Sequence, residues 1–149
     1  KNNIVFFATH SSYMIDKTLI GRCYKVDKVG NLKTRVTKIT GPTKTYAEVN
    51  YEVFDVVSSD YHNQLYGAVQ ENSGIFTEKE FEDFLETKGV QKTKDYVRVH
   101  KDGNVSAPYK STLSTYIRNM IHHPENTNNK LYSDAELKES IKVLLGLVK

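Results

Sequence analysis

Apolar residues downstream of Thr45 recur every three or four positions: Val49, Val53, Val56, Val57, Tyr61, Leu65, Ala68 and Val69. Side chains spaced in that way share one face of an α-helix, so the pattern predicts a long helix over about Ala47–Glu71. Upstream the period is different. Ile4–Phe7 is an unbroken apolar run of the kind found in strands covered on both faces. CYKVDKVGNLKTRVTKI then sets two β-rich runs on either side of Gly30-Asn31, which predicts a hairpin. TGPTKT (Thr40–Thr45) reads as the linker between the two regimes. The expected fold class is α+β: a terminal strand and hairpin in residues 1–42, then a mainly helical bundle of about four helices in residues 43–149.

Punctuation divides the helical part. Thr77 with Glu80 forms a capping box, Phe76 and Phe81 suit a hydrophobic staple, and Gly89 supplies a stop. DYVRVHKDGNVSA predicts a small ribbon turning at Asp102-Gly103. Ser106 and Pro108 are expected to open a third helix with the stripe Leu113, Tyr116, Ile117, Met120 and Ile121, which Pro124 ends. After the polar loop ENTNNKLY, Ser133 and Glu136 make a second capping box ahead of Leu137, Ile141, Leu144, Leu145 and Val148.

Composition excludes several classes. With 38% hydrophobic and 11% aromatic residues, the chain can bury a core and is not a disordered tail. One cysteine, Cys23, leaves no internal disulfide and suits a reducing, cytoplasmic setting, where it is expected as a small buried side chain. No apolar run approaches the ~20 residues of a membrane-spanning helix, so no membrane role is expected. A net charge of +3 permits a nucleic-acid partner without requiring one. The start at Lys1, close to a core-like strand, suggests the tail of a longer protein.

FFATHSSYMID (Phe6–Asp16) resembles the switch-histidine segment of ABC-type ATPases, in the SMC-like and OLD-like branch of the AAA superfamily. Ala8, Thr9, His10 and Ser11 carry the motif, with Ser12 where that family often has proline. The resemblance implies that His10 contacts a nucleotide γ-phosphate and that Asp16 faces a partner subunit. It also implies ATP with Mg as cofactor of an intact parent. A phosphate-cradling G-x-x-x-x-G-K-[ST] loop does not occur in the chain, so the fragment alone is not expected to hydrolyse ATP.

Tyr61–Gly67 (YHNQLYG) together with YIRNMIHHPEN resembles C-terminal regions that follow the heads of prokaryotic AAA ATPases, many of them in anti-phage systems. Arg118, Asn119 and His123 also fit the R-N-x-x-x-H motif of HEPN ribonucleases, helical proteins that usually dimerise and cut RNA without a metal. Such cleavage needs a base for the ribose 2′-OH and a cation for the phosphorane. His123 can serve as base or acid, Arg118 as anion clamp and Asn119 as positioning group. Arg118 and His123 lie about 140° apart around a helix, so a second copy would be needed to bring them together. The same residues equally suit a plain polar helix end, where cationic side chains complement the dipole.

His62, Asn63 and Tyr66 are either a hydrogen-bonded group holding helices together or a second polar element of an RNA site. His122-His123 lacks a third ligand at suitable spacing, so no metal site is expected. Lys25, Lys28, Lys33, Arg35 and Lys38 crowd positive charge onto the hairpin, for nucleic acid or simply to block edge pairing. Three functions follow. The first is the C-terminal part of an ATPase coupling nucleotide state to an effector in defence. The second is a HEPN-like, metal-independent ribonuclease. The third is a non-catalytic module that homodimerises or binds a toxin or nuclease partner.

Overall fold

A computed structural model describes residues 3–41 and 44–148. The fold is α+β, with helices and two separate two-stranded antiparallel sheets. Contacts divide the chain into two compact units, Lys1–Val56 and Val57–Lys149. The division therefore falls about eleven residues beyond the TGPTKT segment expected to carry it, and Pro42 and Thr43 of that segment lie outside the described residues.

In the first unit two 3-10 turns, Ser12–Met14 and Lys17–Arg22, precede strands β1 (Tyr24–Val29) and β2 (Lys33–Lys38) and helix α1 (Tyr46–Phe54). The expected hairpin forms, with Val26 opposite Val36 and the turn at Gly30, whose φ of 69° a side chain with a Cβ would resist. Thr45 caps α1 in a full capping box with Glu48. The core is small: Ile20, Ile39 and Val49 are buried, with Ile15, Cys23, Val53 and Phe54 half-buried against them. Cys23 packs against this core but is half-buried rather than the fully buried side chain expected.

The terminal strand does not form. Residues 4–9 have no regular structure, and Ile4 and Phe6 are 81% and 89% exposed. A strand is held by a ladder of backbone bonds to a neighbour, and no neighbouring strand pairs with this run among the described residues.

The single long helix is also corrected. Asp55 turns left-handed (φ 56°, ψ 29°) and closes α1, and α2 (Ser59–Ser73) starts afresh from Ser58, whose hydroxyl accepts the Tyr61 N–H at 3.2 Å. Ser58→Ala is expected to cost about 1 kcal/mol of stability, read as a shift in the urea midpoint.

The second unit contains α2, α3 (Glu78–Thr87), β3 (Lys92–Tyr96), β4 (Tyr109–Thr112), α4 (Leu113–His122) and α5 (Asp134–Val148). The predicted capping box at Ser133 forms in full, Ser133 exchanging bonds with Glu136. At Thr77 the hydroxyl accepts from Glu80 N and donates to Glu80 Oε2, rather than the Glu80 side chain reaching the Thr77 backbone N–H. Pro108, read as a helix opener, instead precedes β4. That strand pairs with β3, and Thr112 caps α4. Tyr61, Leu65 and Val69 of α2, Phe81 and Leu85 of α3, and Ile117, Ile141 and Leu144 are buried together as core side chains. Tyr66 and Phe81 pack with tilted rings 4.6 Å apart, and Tyr96 meets Tyr116 edge-on at 5.9 Å. Among the described residues no helix is long and apolar enough to cross a membrane.

The polar loop after α4 is pinned to the sheet. Asn129 pairs with Val97 as a strand would, its Oδ1 accepting from Val97 N at 2.8 Å and its Nδ2 donating to Val97 O at 2.9 Å. Asn126 adds a second donor to Val97 O at 2.8 Å. These side-chain amides replace a missing ladder partner and bring the end of α4 against the ribbon that leaves β3.

Candidate functional site

The ribbon beyond β3 continues past the paired strands through a bridge between Val99 and Val105, and turns at Gly103. His100 is anchored by its backbone, donating to Asn104 O at 2.8 Å and accepting from Gly103 N at 2.9 Å. Two Asn104 hydrogen bonds, first from its backbone and then from its side chain, hold the Asp102 carboxyl below its ordinary range, and the neighbouring His100 adds a small pull in the same direction. Arg98, His100 and Lys101 are therefore displayed from a hydrogen-bonded turn rather than a loose loop.

Asn126 and Asn129 hold this ribbon against the end of α4, and between them lies a cleft of about 340 Å³. It is lined by Arg98, His100 and Lys101 from the ribbon, Asn119 and His123 from α4 and its cap, and Glu78 from the start of α3. That volume falls within the range of small-ligand clefts.

Glu78 organises the floor. Its carboxylate sits in the first turn of α3, where the helix dipole favours negative charge. One oxygen meets Arg98 at 2.5 Å and the Tyr109 hydroxyl at 3.3 Å, and the other accepts from Asn119 Nδ2 at 3.2 Å. Burial, with the Glu78 charge behind it, pushes the Tyr109 hydroxyl up to about 12, so it stays a donor. His123 closes α4 outside helical geometry (φ −129°, ψ 61°). Its Nδ1 lies 3.4 Å from Glu125 Oε1, which orients the ring and leaves Nε2 for another partner.

The R-N-x-x-x-H residues separate accordingly. Asn119 and His123 line the cleft; Arg118 does not. Its guanidinium donates to Asn119 Oδ1 at 2.9 Å, so that Asn119 is held between Arg118 on one side and Glu78 on the other. The pull on His122 is of a different kind: partial burial first, then Arg118 and His123, lower it from the ordinary histidine value. Among the described residues no cluster of three metal-binding side chains exists.

His62, Asn63 and Tyr66 lie elsewhere. His62 is fully buried, with Nε2 at 2.9 Å from Ser140 Oγ, which in turn donates to Ser114 Oγ at 2.8 Å. Tyr66 shares a hydrogen bond of 3.1 Å with Thr115 Oγ1, and burial raises its hydroxyl well above the usual phenol range. These bonds tie α2 to α4 and α5, the structural role of the two that the sequence allowed. His62 Nδ1 and Asn63 Oδ1 are buried without a hydrogen-bond partner.

In the first unit His10 is exposed at a bend. Asp16 caps the second 3-10 turn, accepting from Thr18 N at 2.9 Å and Thr18 Oγ1 at 2.6 Å. The Thr18 side-chain and backbone bonds, in that order, hold its carboxyl low. Asp16 is thus accounted for locally.

The sequence missed Arg98, His100, Lys101 and Glu78 as site residues. Three of them stand in RVHK, directly before the Asp102-Gly103 turn, and that concentration of cationic and titratable side chains was the available signal. Comparison with family models, with curated proteins and with solved structures finds no match for this chain.

Proposed function

We propose that the cleft between the β3–β4 ribbon and the end of α4 cleaves RNA without a metal ion. The observation that carries this is the meeting of two histidines, His100 and His123, with two cations, Arg98 and Lys101, in one cleft built from separate elements. One imidazole takes the proton of a ribose 2′-OH, whose oxygen attacks the adjacent phosphorus. The other imidazole gives a proton to the departing 5′-oxygen. The P–O5′ bond breaks as the P–O2′ bond forms, leaving a 2′,3′-cyclic phosphate and a 5′-hydroxyl. Lys101 and Arg98 stabilise the doubly charged phosphorane, with Arg98 held in place by Glu78. Asn119, fixed by Arg118 and Glu78, positions a non-bridging oxygen.

The test is cleavage of a mixed RNA panel in EDTA by the wild type and by His100→Ala and His123→Ala. Each substitution is expected to slow cleavage by roughly 100-fold or more, the usual worth of a general acid or base, with unchanged melting. Products should carry cyclic phosphate ends, and 2′-O-methyl RNA should be inert. Cutting that vanishes in EDTA, or that survives both substitutions, overturns the reading.

A second reading keeps residues 4–16 as the end of an ATPase head acting with ATP and Mg. The exposed His10 and the unpaired run Ile4–Phe7, which such a head could take up as a further strand, support it. It requires a phosphate-binding loop encoded in the same gene, and a gene without one would sink it. Homodimerisation, and a toxin or nuclease partner, belong to that reading.

A further inference from the structure

The hairpin β1–β2 carries more charge than any structural task within its own unit uses. Between Tyr24 and Lys38 it holds four more cations than anions, whereas the whole chain has an excess of only three. The rest of the molecule is therefore slightly acidic. Lys25 is engaged, reaching Asp27 at 3.6 Å and Glu52 O at 3.3 Å within the same unit. Lys28, Lys33, Arg35 and Lys38 form no ion pair among the described residues.

The register decides what these cations can meet. Lys28 and Lys38 stand on the face that carries Val26 and Val36, and Lys33 and Arg35 stand on the other. β2 is exposed along its whole length, and the tip residue Leu32 is 98% exposed. A flat partner, such as a lipid surface or a folded protein face, could neutralise only one side of such a ribbon. A flexible polyanion can follow both. Lys33 and Arg35, two apart on one strand, are separated by about 7 Å, a spacing comparable to that of successive phosphates on one strand of nucleic acid. Tyr24, 55% exposed at the base of the ribbon beside Lys38, offers a ring on which a base can stack.

We propose that the β1–β2 hairpin is a binding arm for single-stranded nucleic acid, gripping the phosphates of one strand on both of its faces. This stands on the hairpin's own charge and exposure and does not depend on cleavage in the cleft.

The experiment uses the full chain and a fluorescent 20-nucleotide 2′-O-methyl RNA, which the cleft chemistry cannot cut, with anisotropy recorded across a salt series. A duplex of the same length and phosphatidylserine vesicles are the competing targets. The wild type is expected to bind the single strand more tightly than either. Lys28→Gln, Lys33→Gln and Arg35→Gln combined should weaken binding at least 10-fold and lower the slope of log K against log salt by about 2, at ~0.7 per released counterion. Lys79→Gln, Lys130→Gln and Lys142→Gln combined change the net charge equally and should leave the slope intact. An unchanged slope in the hairpin triple variant, an equal loss in the control, or preference for the duplex or the vesicles overturns the proposal.

Discussion

Lowering the pH from 7 to 4 is expected to remove about 3 kcal/mol of stability from the unit built on α2–α5, with His62 as the main cause. Burial pushes this imidazole down to about 4 from an ordinary 6.5, only partly opposed by Asn63. The sign follows directly. The neutral form is favoured when folded, so the contribution is complete above pH 6.5 and is lost as pH falls towards 4. Ser140 donates to Ser114, so its oxygen accepts from His62 Nε2–H, and an added proton must go to Nδ1. There the buried Asn63 Oδ1, without a hydrogen-bond partner of its own, is the acceptor that offsets part of the cost. Urea midpoints of the wild type and His62→Gln at pH 7, 5.5 and 4 check this. The wild-type loss should be concentrated between pH 6.5 and 4 and should shrink markedly in the variant. Glu136, held down to about 2 by its hydrogen bonds to Lys94 and Ser133, starts to lose its contribution only as pH falls below 4.5 and loses most of it below 4. It is common to both proteins, so it cancels in the comparison with His62→Gln. Equal pH profiles for the two proteins would exclude His62 as the cause.

Glu82→Ala should cost roughly 2–4 kcal/mol. Glu82 is buried, and its carboxylate accepts from Thr112 N at 3.0 Å and Thr112 Oγ1 at 2.6 Å. Thr112 is itself fully buried and caps α4 through Thr115 N. Removing the carboxylate strands a buried N–H and loosens the cap of the helix that carries Asn119 and His123. Glu82→Gln retains an acceptor and should lose about half as much. Chemical denaturation of the three proteins distinguishes these outcomes, and a loss below about 1 kcal/mol in Glu82→Ala would show that water replaces the carboxylate.

What the sequence disclosed depended on whether the signal was local. The N-cap at Thr77, the capping box at Ser133 and the hairpin turn at Gly30 are written in residues within four positions of one another, and all three appear in the structure. The α1–α2 break was hidden because Val56 and Val57 keep the helical apolar spacing through it. Only Asp55 and Ser58, as terminator and cap, mark it. Ile4–Phe7 has strand composition, but composition does not supply a pairing partner. β4 was masked by Pro108, which reads equally well before a helix.

The cleft was half legible. Asn119 and His123 stood out as a motif on one helix. Arg98, His100, Lys101 and Glu78 join them only through the β3–β4 pairing and the two asparagine clamps on Val97, which no spacing rule encodes. Those clamps also change what the R-x-x-x-x-H pattern can do within one chain. Within one chain Arg118 braces Asn119, and the cations lining the cleft with the histidines come from the ribbon.

The break at Asp55 has a calorimetric consequence. A segment of about fifty residues with only Ile20, Ile39, Ala47 and Val49 as buried apolar side chains among the described residues has little apolar surface to re-expose, and unfolding heat capacity scales with that surface. Most of the heat-capacity increment on melting should therefore come from residues 57–148. A van't Hoff enthalpy taken from any tyrosine signal of the hairpin unit would describe a different transition from the one the calorimeter records.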